Sequence, residues 1–496
     1  MSPEIFPAPV YAETVLRPNF EDAQRYFLDA LIEIHYAHTR MLARQGILEA
    51  EEEKKLLAAL DGLDRQEIAR ARYDGSCEDL FFFVEGLLER NCGELAGKMH
   101  TARSRNDIAI TLYRMTARRE LLKLAAAGAE ARAAVLELAA RTLETVMPAH
   151  THTQPAQPTT LGHYLLAAAE FLARDAARTQ AAFGRVNLCP MGACAITTTG
   201  FPIDRETTAR LLGFDGLAEN SYGAIAAIDY LTESAGAVAV AMVNLGKFTQ
   251  DLLLWSTREF GFLRLSDAFV QSSSIMPQKR NPVALEHTRI LASRALGEAQ
   301  AVFTCAHNTP FGDINDSEDD LQPLVFTMFA NAVRALRLAA GLLRHAQVDR
   351  EKLARRAAAD FVTVTELADT LVRREGISFR EAHAMVAQAV KAAGADDRSA
   401  AVTRALLAGN PGLRITREEI ERALDPENFI RVRRAAGGPA PEVAAEALAR
   451  AAAEQGRIEE WARSKRDLLE AARRSNLGAQ RVLLHGQPDL TPDVPA

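Results

Sequence analysis

One segment of the chain places several groups suited to acid–base and carboxylate chemistry side by side. Residues 271–281 are Gln-Ser-Ser-Ser-Ile-Met-Pro-Gln-Lys-Arg-Asn, followed by a proline and an apolar helical pattern. The small residues Ser272–Ser274 allow a loop that flexes and closes over a ligand. Lys279 and Asn281 supply a positive charge and an amide, a pair suited to binding a carboxylate. The alternative is a serine-rich loop before a helix, with Asn281 as N-cap and Pro282 at the first helical position. These residues alone leave both interpretations open.

The spacing of prolines predicts the elements that position this segment. No proline occurs between Pro18 and Pro148, or between Pro202 and Pro277. Inside both spans apolar residues recur at helical spacing and alanine is abundant, which favours helix. We expect a helix capped by Asp107 that runs to Met147, a second capped by Thr159 or Thr160 that reaches about Phe183, a third over 225–255, and a fourth that begins at Pro282.

Helices of this length indicate a long bundle, because the mean helix in globular proteins has about 11–12 residues. Several carry apolar residues on more than one face, so we expect the long helices to contact other chains. Glycines within 408–413 and at 437–438 predict turns in a C-terminal helical region, and 486–496 is typical of a frayed tail.

Composition argues for a soluble cytoplasmic protein. The 496 residues carry a net charge of −7, whereas a broad nucleic-acid surface needs a basic excess. The five cysteines are scattered without a Cys-x-x-Cys pair, so neither a disulfide framework nor a metal site is predicted. The N-terminus lacks the pattern of a signal peptide. The apolar stretch Ala235–Leu245 is shorter than the roughly 18 residues that a membrane span requires.

Three motifs together resemble a known family. Residues 273–282 (Ser-Ser-Ile-Met-Pro-Gln-Lys-Arg-Asn-Pro) resemble the signature of the fumarase/aspartase superfamily, and 277–282 resemble its argininosuccinate lyase branch. Residues 100–107 resemble that branch's His-Thr-Gly-Arg-Ser-Arg-Asn-Asp. Residues 147–158 resemble its Met-Pro-Gly-Tyr-Thr-His-Leu-Gln-x-Ala-Gln-Pro. The order and spacing of the three motifs are typical of the family.

The resemblance implies an all-α, three-domain subunit: an N-terminal helical domain over 1–105, a central long-helix bundle over 106–352 and a C-terminal helical domain over 353–496. It also implies a homotetramer in which three subunits build each active site, and a reaction without cofactor or metal. The implied reaction is cleavage of the C–N bond of an N-substituted aspartate, releasing fumarate and an amine. Such a site needs a base for the Cβ proton, donors around the carboxylate, and an acid near the leaving group.

The resemblance also assigns roles to individual residues. Ser273 is the base, Lys279 supports it, and His152 and Glu286 form a His–Glu pair on the leaving-group side. The residues implied to bind the substrate are Thr151, Met276 and Asn281, together with Ser104, Arg105 and Asn106 from a neighbouring subunit. A free serine is too weak a base, so Ser273 requires a closed pocket with nearby positive charge.

The chain departs from the family pattern in ways that bear on specificity. The family holds the arginine part of its substrate with a Tyr, a Gln and a Lys, and in ungapped register these become Asp313, Glu318 and Leu321. A site that gains acids and loses a lysine should prefer a cationic amine. We therefore expect Asp313 and Glu318 to bind substrate. Argininosuccinate lyase proper remains an alternative function, and a non-catalytic structural relative of the same fold is a further one. Two motif glycines are replaced as well, by Ala102 and Ser272.

Overall fold

The computed structural model describes residues 6–394 and 399–478. The predicted all-α class is confirmed, because long helices dominate and the described strands form only two-stranded ribbons. The tail predicted over 486–496 lies outside the described residues.

The N-terminal region builds one hydrophobic core around a deeply buried helix. Its elements are α1 (Pro9–Tyr11), a π-helix (Ala12–Leu16), α2 (Arg17–Tyr26), α3 (Leu28–Arg44), α4 (Ala50–Asp61), α5 (Arg65–Arg70), α6 (Leu80–Cys92) and α7 (Leu95–Met99). Residues 30–39 of α3 are all buried, including four polar side chains. Buried polar groups need hydrogen-bond partners, so α3 is where a polar network inside this core has to be sought.

Five long helices form the central bundle. They are α8 (Arg105–Arg141), α9 (Leu161–Val186), α12 (Asp229–Ser256), α13 (Val283–Ala306) and α14 (Gln322–His345). Two short helices, α10 (Arg205–Leu211) and α11 (Ser221–Ala226), lie between α9 and α12 in the chain. Within the bundle α8 packs against α9 and α14, while α13 packs against α12 and α14. Alanine and leucine fill the shared core, and small side chains let the helix axes approach closely. Short 3-10 helices occur at Asp267–Phe269, Asn315–Ser317 and Asp319–Leu321.

The predicted helix ends are partly wrong. The first long helix is capped by Ser104, and Asp107 completes a capping box by accepting from the Ser104 amide. It ends at Arg141, before the predicted Met147, because residues 146–151 form a strand. Thr160 caps α9 as expected. Pro282 itself occupies the N-cap position of α13, so the alternative interpretation, with Asn281 as the N-cap, is wrong.

The strands are short and form four ribbons. Their order is β1 (Val146–Thr151), β2 (Gln154–Thr160), β3 (Leu188–Cys189), β4 (Gly216–Leu217), β5 (Leu263–Arg264), β6 (Gln271–Ser272), β7 (Arg280–Asn281) and β8 (Gln347–Val348). The pairs β1–β2, β5–β8 and β6–β7 are antiparallel, and β3–β4 is parallel. Two of the three sequence motifs thus lie on hairpins at helix ends.

The C-terminal region contains a third, smaller core. Its helices are α15 (Arg350–Ala357), α16 (Val364–Glu375), α17 (Phe379–Ala393), α18 (Ser399–Gly409), α19 (Arg417–Ala423), α20 (Pro426–Arg431) and α21 (Pro441–Leu477). The third core draws on residues from 361 to 424. Helix α21 instead returns to the bundle and packs against α8, α9 and α3. The domain boundaries at 105/106 and 352/353 stay a prediction.

Two described segments are long and apolar enough to cross a membrane by length and composition alone, Asp229–Ser256 and Asn315–His345. Both belong to the bundle, where their buried faces contact the neighbouring helices. Such core helices of a soluble protein pass the same test, so the segments are weak evidence for a span.

Candidate active site

The segment 271–281 forms an exposed hairpin, called here the serine hairpin. Residues Gln271 and Ser272 pair with Asn281 and Arg280. At the tip, Ser273 Oγ accepts hydrogen bonds from the amides of Ile275 (3.3 Å) and Met276 (3.0 Å). The Ile275 side chain is 82% exposed, so the subunit alone leaves the tip in water. The hydroxyl is oriented by its own loop and is not yet in the dry pocket that a serine base requires.

Positive charge surrounds the base of the serine hairpin. An open groove of about 740 Å³ is lined by five cationic side chains, Arg258, Arg264, Lys279, Arg280 and Lys352, with Asp349 as the acid among them. Arg280 Nη2 donates to the Leu265 carbonyl at 2.9 Å, which fastens the hairpin to the bundle end. The surplus of cations suits an anionic substrate that approaches the hairpin.

The second motif puts His152 at the tip of the β1–β2 hairpin. His152 and Thr153 form its two-residue loop with φ of 51° and 61°, as a type I′ turn requires. Neither is a glycine or asparagine, and such left-handed residues cost roughly 1–3 kcal/mol and cluster at functional sites. Thr151 precedes the turn, and its side chain and that of His152 are exposed.

The expected partners of His152 are not adjacent to it within one subunit. Glu286 lies in the first turn of α13 with an exposed side chain. Among the described residues, no hydrogen bond or ion pair joins His152 to Glu286 or to Ser273. The predicted His–Glu pair is therefore not formed inside the single chain.

The third motif begins α8 and is held firmly. Ser104 caps the helix, and the Asn106 side-chain amide donates to the Ala195 carbonyl at 3.1 Å. Arg105 Nη1 binds Asp79 Oδ2 at 3.0 Å and lies 3.1 Å from Glu78 Oε1. These two carboxylates fix the direction of a guanidinium that is 42% exposed and still able to bind a ligand.

Arg105 and Asn106 line a cavity of about 230 Å³, called here the acidic cavity. Its charged lining consists of one guanidinium and six carboxyl groups, Arg105 against Glu78, Asp79, Asp313, Glu318, Asp319 and Asp320. The Tyr113 hydroxyl donates to Asp319 Oδ1 at 2.6 Å and anchors the acidic loop to α8. The loop around 313–320 thus faces the same cavity as the motif at the start of α8, as its assignment to substrate binding requires.

The carboxyl groups in this cavity cannot all ionise. Partial burial, a hydrogen bond with Asp313 and the charge of that neighbour raise the pKa of Glu318 to about 9. Like-charged carboxyls in one site commonly share a proton in this way. At neutral pH the pair formed by Asp313 and Glu318 therefore holds one shared proton. A bound cation would favour release of that proton.

Sequence and structure comparisons agree with this geometry. Residues 35–297 match the lyase family, and residues 361–431 match the family described as argininosuccinate lyase C-terminal. The chain is 42% identical to argininosuccinate lyase 2 of Agrobacterium fabrum, over 97% of each chain. It is 38% identical to argininosuccinate lyase of Methanoculleus marisnigri, over 91% of this chain and 92% of the relative. The crystal structure of EDDS lyase in complex with formate superposes with a TM-score of 0.85 at 34% identity, covering 96% of both chains.

The chain belongs to the argininosuccinate lyase family. Within this family it is a fumarate-releasing carbon–nitrogen lyase, as the sequence motifs predicted. The lyase family match spans 263 residues, from 35 to 297, and so contains all three motifs.

Two features of this argininosuccinate lyase-family site escaped the sequence reasoning. The first is a set of contacts in the acidic cavity. Glu78 and Asp79 bind Arg105, and the Tyr113 hydroxyl on α8 donates to Asp319 of the acidic loop. No local pattern marks these contacts, because each joins residues far apart in the chain. The second feature is a buried cluster behind the start of α8, formed by His35, His38 and Arg103.

Proposed function

We propose that this lyase acts on N-substituted aspartates whose leaving amine carries a positive charge. The observation that carries the proposal is the lining of the acidic cavity, six carboxyl groups against one guanidinium. Charge complementarity of this kind selects partners by attraction of one sign and repulsion of the other. A second carboxylate on the leaving amine would be repelled, whereas an ammonium or guanidinium would be attracted.

Asp313 and Glu318 are the proposed contacts for that cation. A cation next to the pair lowers the cost of ionising Glu318, so binding is coupled to release of the proton that the pair shares. Binding of a cationic amine is then tighter at higher pH, up to the pKa of the amine itself. The Tyr, Gln and Lys with which the family holds the arginine part of its substrate are replaced here by Asp313, Glu318 and Leu321, which supports a leaving amine other than arginine.

The serine hairpin supplies the proposed chemistry. Ser273 removes the Cβ proton, Lys279 and Asn281 stabilise the carboxylate that takes up the second negative charge, and Met276 packs beside it. Donors aimed at developing charge in a water-poor site are worth several kcal/mol. His152, oriented by Glu286, serves the leaving-group side, and Thr151 binds the other carboxylate together with Ser104, Arg105 and Asn106.

A homotetramer with shared sites explains why these groups are apart in one subunit. Apolar side chains remain exposed along two bundle helices, at Val240, Val243 and Leu254 on α12 and at Ile290 and Phe303 on α13. Only 44% of the apolar window of α12 is buried in the subunit, and uncovered apolar faces on a soluble protein mark interaction sites. Copies that cover these helices can bring one serine hairpin to another chain's acidic cavity. We place the enzyme in the cytoplasm.

Amine specificity is tested in the direction of addition. Fumarate is mixed with ethylenediamine, arginine, glycine or aspartate, and the loss of fumarate absorbance is followed. We expect consumption to be fastest with ethylenediamine and slowest with aspartate. Fast reaction with arginine alone would favour the second candidate, argininosuccinate lyase proper, which the names of the relatives suggest. No consumption with any of these four amines would refute the proposed class of leaving amine.

Shared sites are tested by complementation. Ser273→Ala and Arg105→Met chains, each inactive alone, are unfolded, mixed and refolded together. Mixed tetramers should regain part of the activity because some sites combine two intact segments. Light scattering should give about four times the chain mass of 54.1 kDa. An active monomer would refute the arrangement.

A further inference from the structure

A network of imidazoles and one guanidinium lies directly behind the substrate-binding segment Ser104–Asn106. His35 and His38 on α3 are 0% and 1% exposed, and the side chain of Arg103 is 0% exposed. A buried arginine is costly unless its charge is compensated and its donors are bound. Arg103 directly precedes Ser104, so the contacts that compensate its burial also hold the start of the substrate-binding segment.

The contacts define the protonation of both histidines. Arg103 Nη1 lies 2.9 Å from His35 Nδ1, and arginine can only donate, so Nδ1 accepts and the proton of His35 is on Nε2. His38 Nε2 lies 2.9 Å from the Thr101 carbonyl, which can only accept, so Nε2 of His38 donates. Burial and the charge of Arg103 lower the pKa of both, that of His38 to about 3. Both imidazoles are neutral in the folded protein at physiological pH.

Further contacts fix the other side of the same turn. Glu85 Oε1 is 3.4 Å from Arg103 Nη2, and the Phe81 ring lies under the guanidinium at 5.7 Å. Asp107 accepts from the amides of Ser104, Gly192 and Cys194 at 2.8–3.0 Å. The turn is thereby held from α3, from α6 and from the loop after β3.

The backbone between these contacts is strained. Ala102 has φ of 60°, a left-handed conformation that L-residues avoid at a cost of roughly 1–2 kcal/mol. The Cys194 thiol donates to the Ala102 carbonyl at 3.3 Å. On either side of Ala102, the Thr101 carbonyl binds His38 and the Arg103 side chain binds His35. Such a conformation persists only where surrounding contacts over-determine it, and it occurs mainly at functional sites.

We propose that Arg103, His35 and His38 are positioning residues that lock the turn 101–103, so that Arg105 and Asn106 face the acidic cavity. They touch no substrate and act through the backbone of the segment. This inference rests on the proposed function, which assigns substrate binding to Ser104–Asn106. It assigns a role in the reaction to three residues of the N-terminal core.

The tautomers allow a matched set of variants. An asparagine carbonyl oxygen can replace His35 Nδ1 as acceptor, and a glutamine amide can replace His38 Nε2 as donor. His35→Asn and His38→Gln should therefore retain the lock, whereas His35→Phe, His38→Leu and Arg103→Met should lose it. Arg132→Met is the control, because Arg132 is equally buried but binds α9 and α21, away from the turn.

Two measurements on the full-length oligomer separate positioning from simple stabilisation. We expect the lock-breaking variants to raise the fumarate dissociation constant, measured by calorimetry, by up to about 100-fold. We also expect faster hydrogen exchange of the amides in 101–106. The retaining variants should stay close to wild type in both. Arg132→Met should lower the melting temperature without changing either quantity.

The outcomes are distinguishable. If Arg103→Met binds fumarate no more weakly than Arg132→Met, or if His35→Asn behaves like His35→Phe, the positioning role is wrong. Arg105→Met tests the proposed function separately. Unchanged fumarate affinity in that variant removes the segment from the substrate site, whatever the histidine variants show.

Discussion

The two ends of the proposed site differ in how their residues are held. The segment Ser104–Asn106 starts a helix of 37 residues, is capped by Ser104 and is backed by a buried polar network. The serine hairpin extends from paired strands of two residues each, and the side chains at its tip are largely exposed. The first is fixed by hydrogen bonds and ion pairs within one subunit. The serine hairpin is exposed in the single subunit, as expected if another subunit covers it.

This difference agrees with the role proposed for each end. Binding a fixed anion benefits from groups that are ordered beforehand, because no ordering entropy is then lost on binding. A serine base instead needs water excluded at the moment of reaction and an open path before and after it. A small hairpin with few buried contacts has the low local stability that such movement requires.

Removal of the base should give the largest effect. Ser273→Ala is expected to lower kcat by about 10²–10⁴-fold or more, with unchanged mass and melting temperature, because Ser273 Oγ accepts only from two amides of its own loop. Fumarate release and light scattering provide the two measurements. Ser293→Ala, an exposed serine on α13, is the control. Retention of more than about a tenth of the activity would mean that the hairpin does not supply the base.

The cationic groove at the base of the serine hairpin allows a test of whether Lys279 makes a specific contact with the substrate. Lys279→Met should cost about 3–4 kcal/mol in kcat/KM, the value of a donor to a developing oxyanion. Lys352→Met neutralises another cation of that groove and should leave kcat/KM nearly unchanged. Equal losses in both variants would show that the groove acts through its overall charge, and that Lys279 has no specific contact.

Neutralising the acidic cavity should have an intermediate effect. The double variant Asp313→Asn/Glu318→Gln is expected to raise KM for a cationic amine by about tenfold, roughly 1.4 kcal/mol, and to weaken the dependence of KM on salt. Asp316→Asn, in the same loop but outside the cavity lining, is the control. If both variants behave alike, the amine does not contact the pair.

The smallest effect concerns stability in acid. His38 has a pKa of about 3 in the folded protein and about 6.5 when unfolded. Between these values the unfolded state binds the extra proton, so stability falls as pH decreases from about 6.5, by up to about 1.4 kcal/mol per pH unit. Buried His35 acts in the same direction.

Asp107 acts in the opposite direction in part of this range. Burial raises its pKa to about 6, so the folded state holds the additional proton between about 3.8 and 6. His38→Gln isolates one contribution, because it removes the imidazole and leaves Arg103, His100, Glu85 and Asp107 in place. Denaturant unfolding at pH 7 and pH 5 should show that the free energy of unfolding decreases less between these two pH values in the variant than in the wild type. An identical loss would mean that His38 is not neutral in the fold.

Much of the molecule was determined by the sequence alone. The proline-free, alanine-rich spans specify long helices, because helix propensity and 3.6-residue periodicity are local properties. The motifs at 100–107, 147–158 and 273–282 identified the family and its fumarate-releasing reaction, which the relatives confirm. These motifs are contiguous, so their chemistry is visible without coordinates.

The tertiary structure decided which groups meet. Glu78, Asp79 and Tyr113 reach the acidic cavity from elements whose local pattern gives no sign of it. His35 and Arg103 are 68 residues apart and form a pair only because α3 passes behind the start of α8. Helix limits divide in the same way. The caps at Thr160 and Ser104 are local, the second being a capping box with Asp107, whereas the early end of α8 depends on the hairpin whose first strand is at 146–151. Long-range packing, which no sequence window contains, sets these contacts.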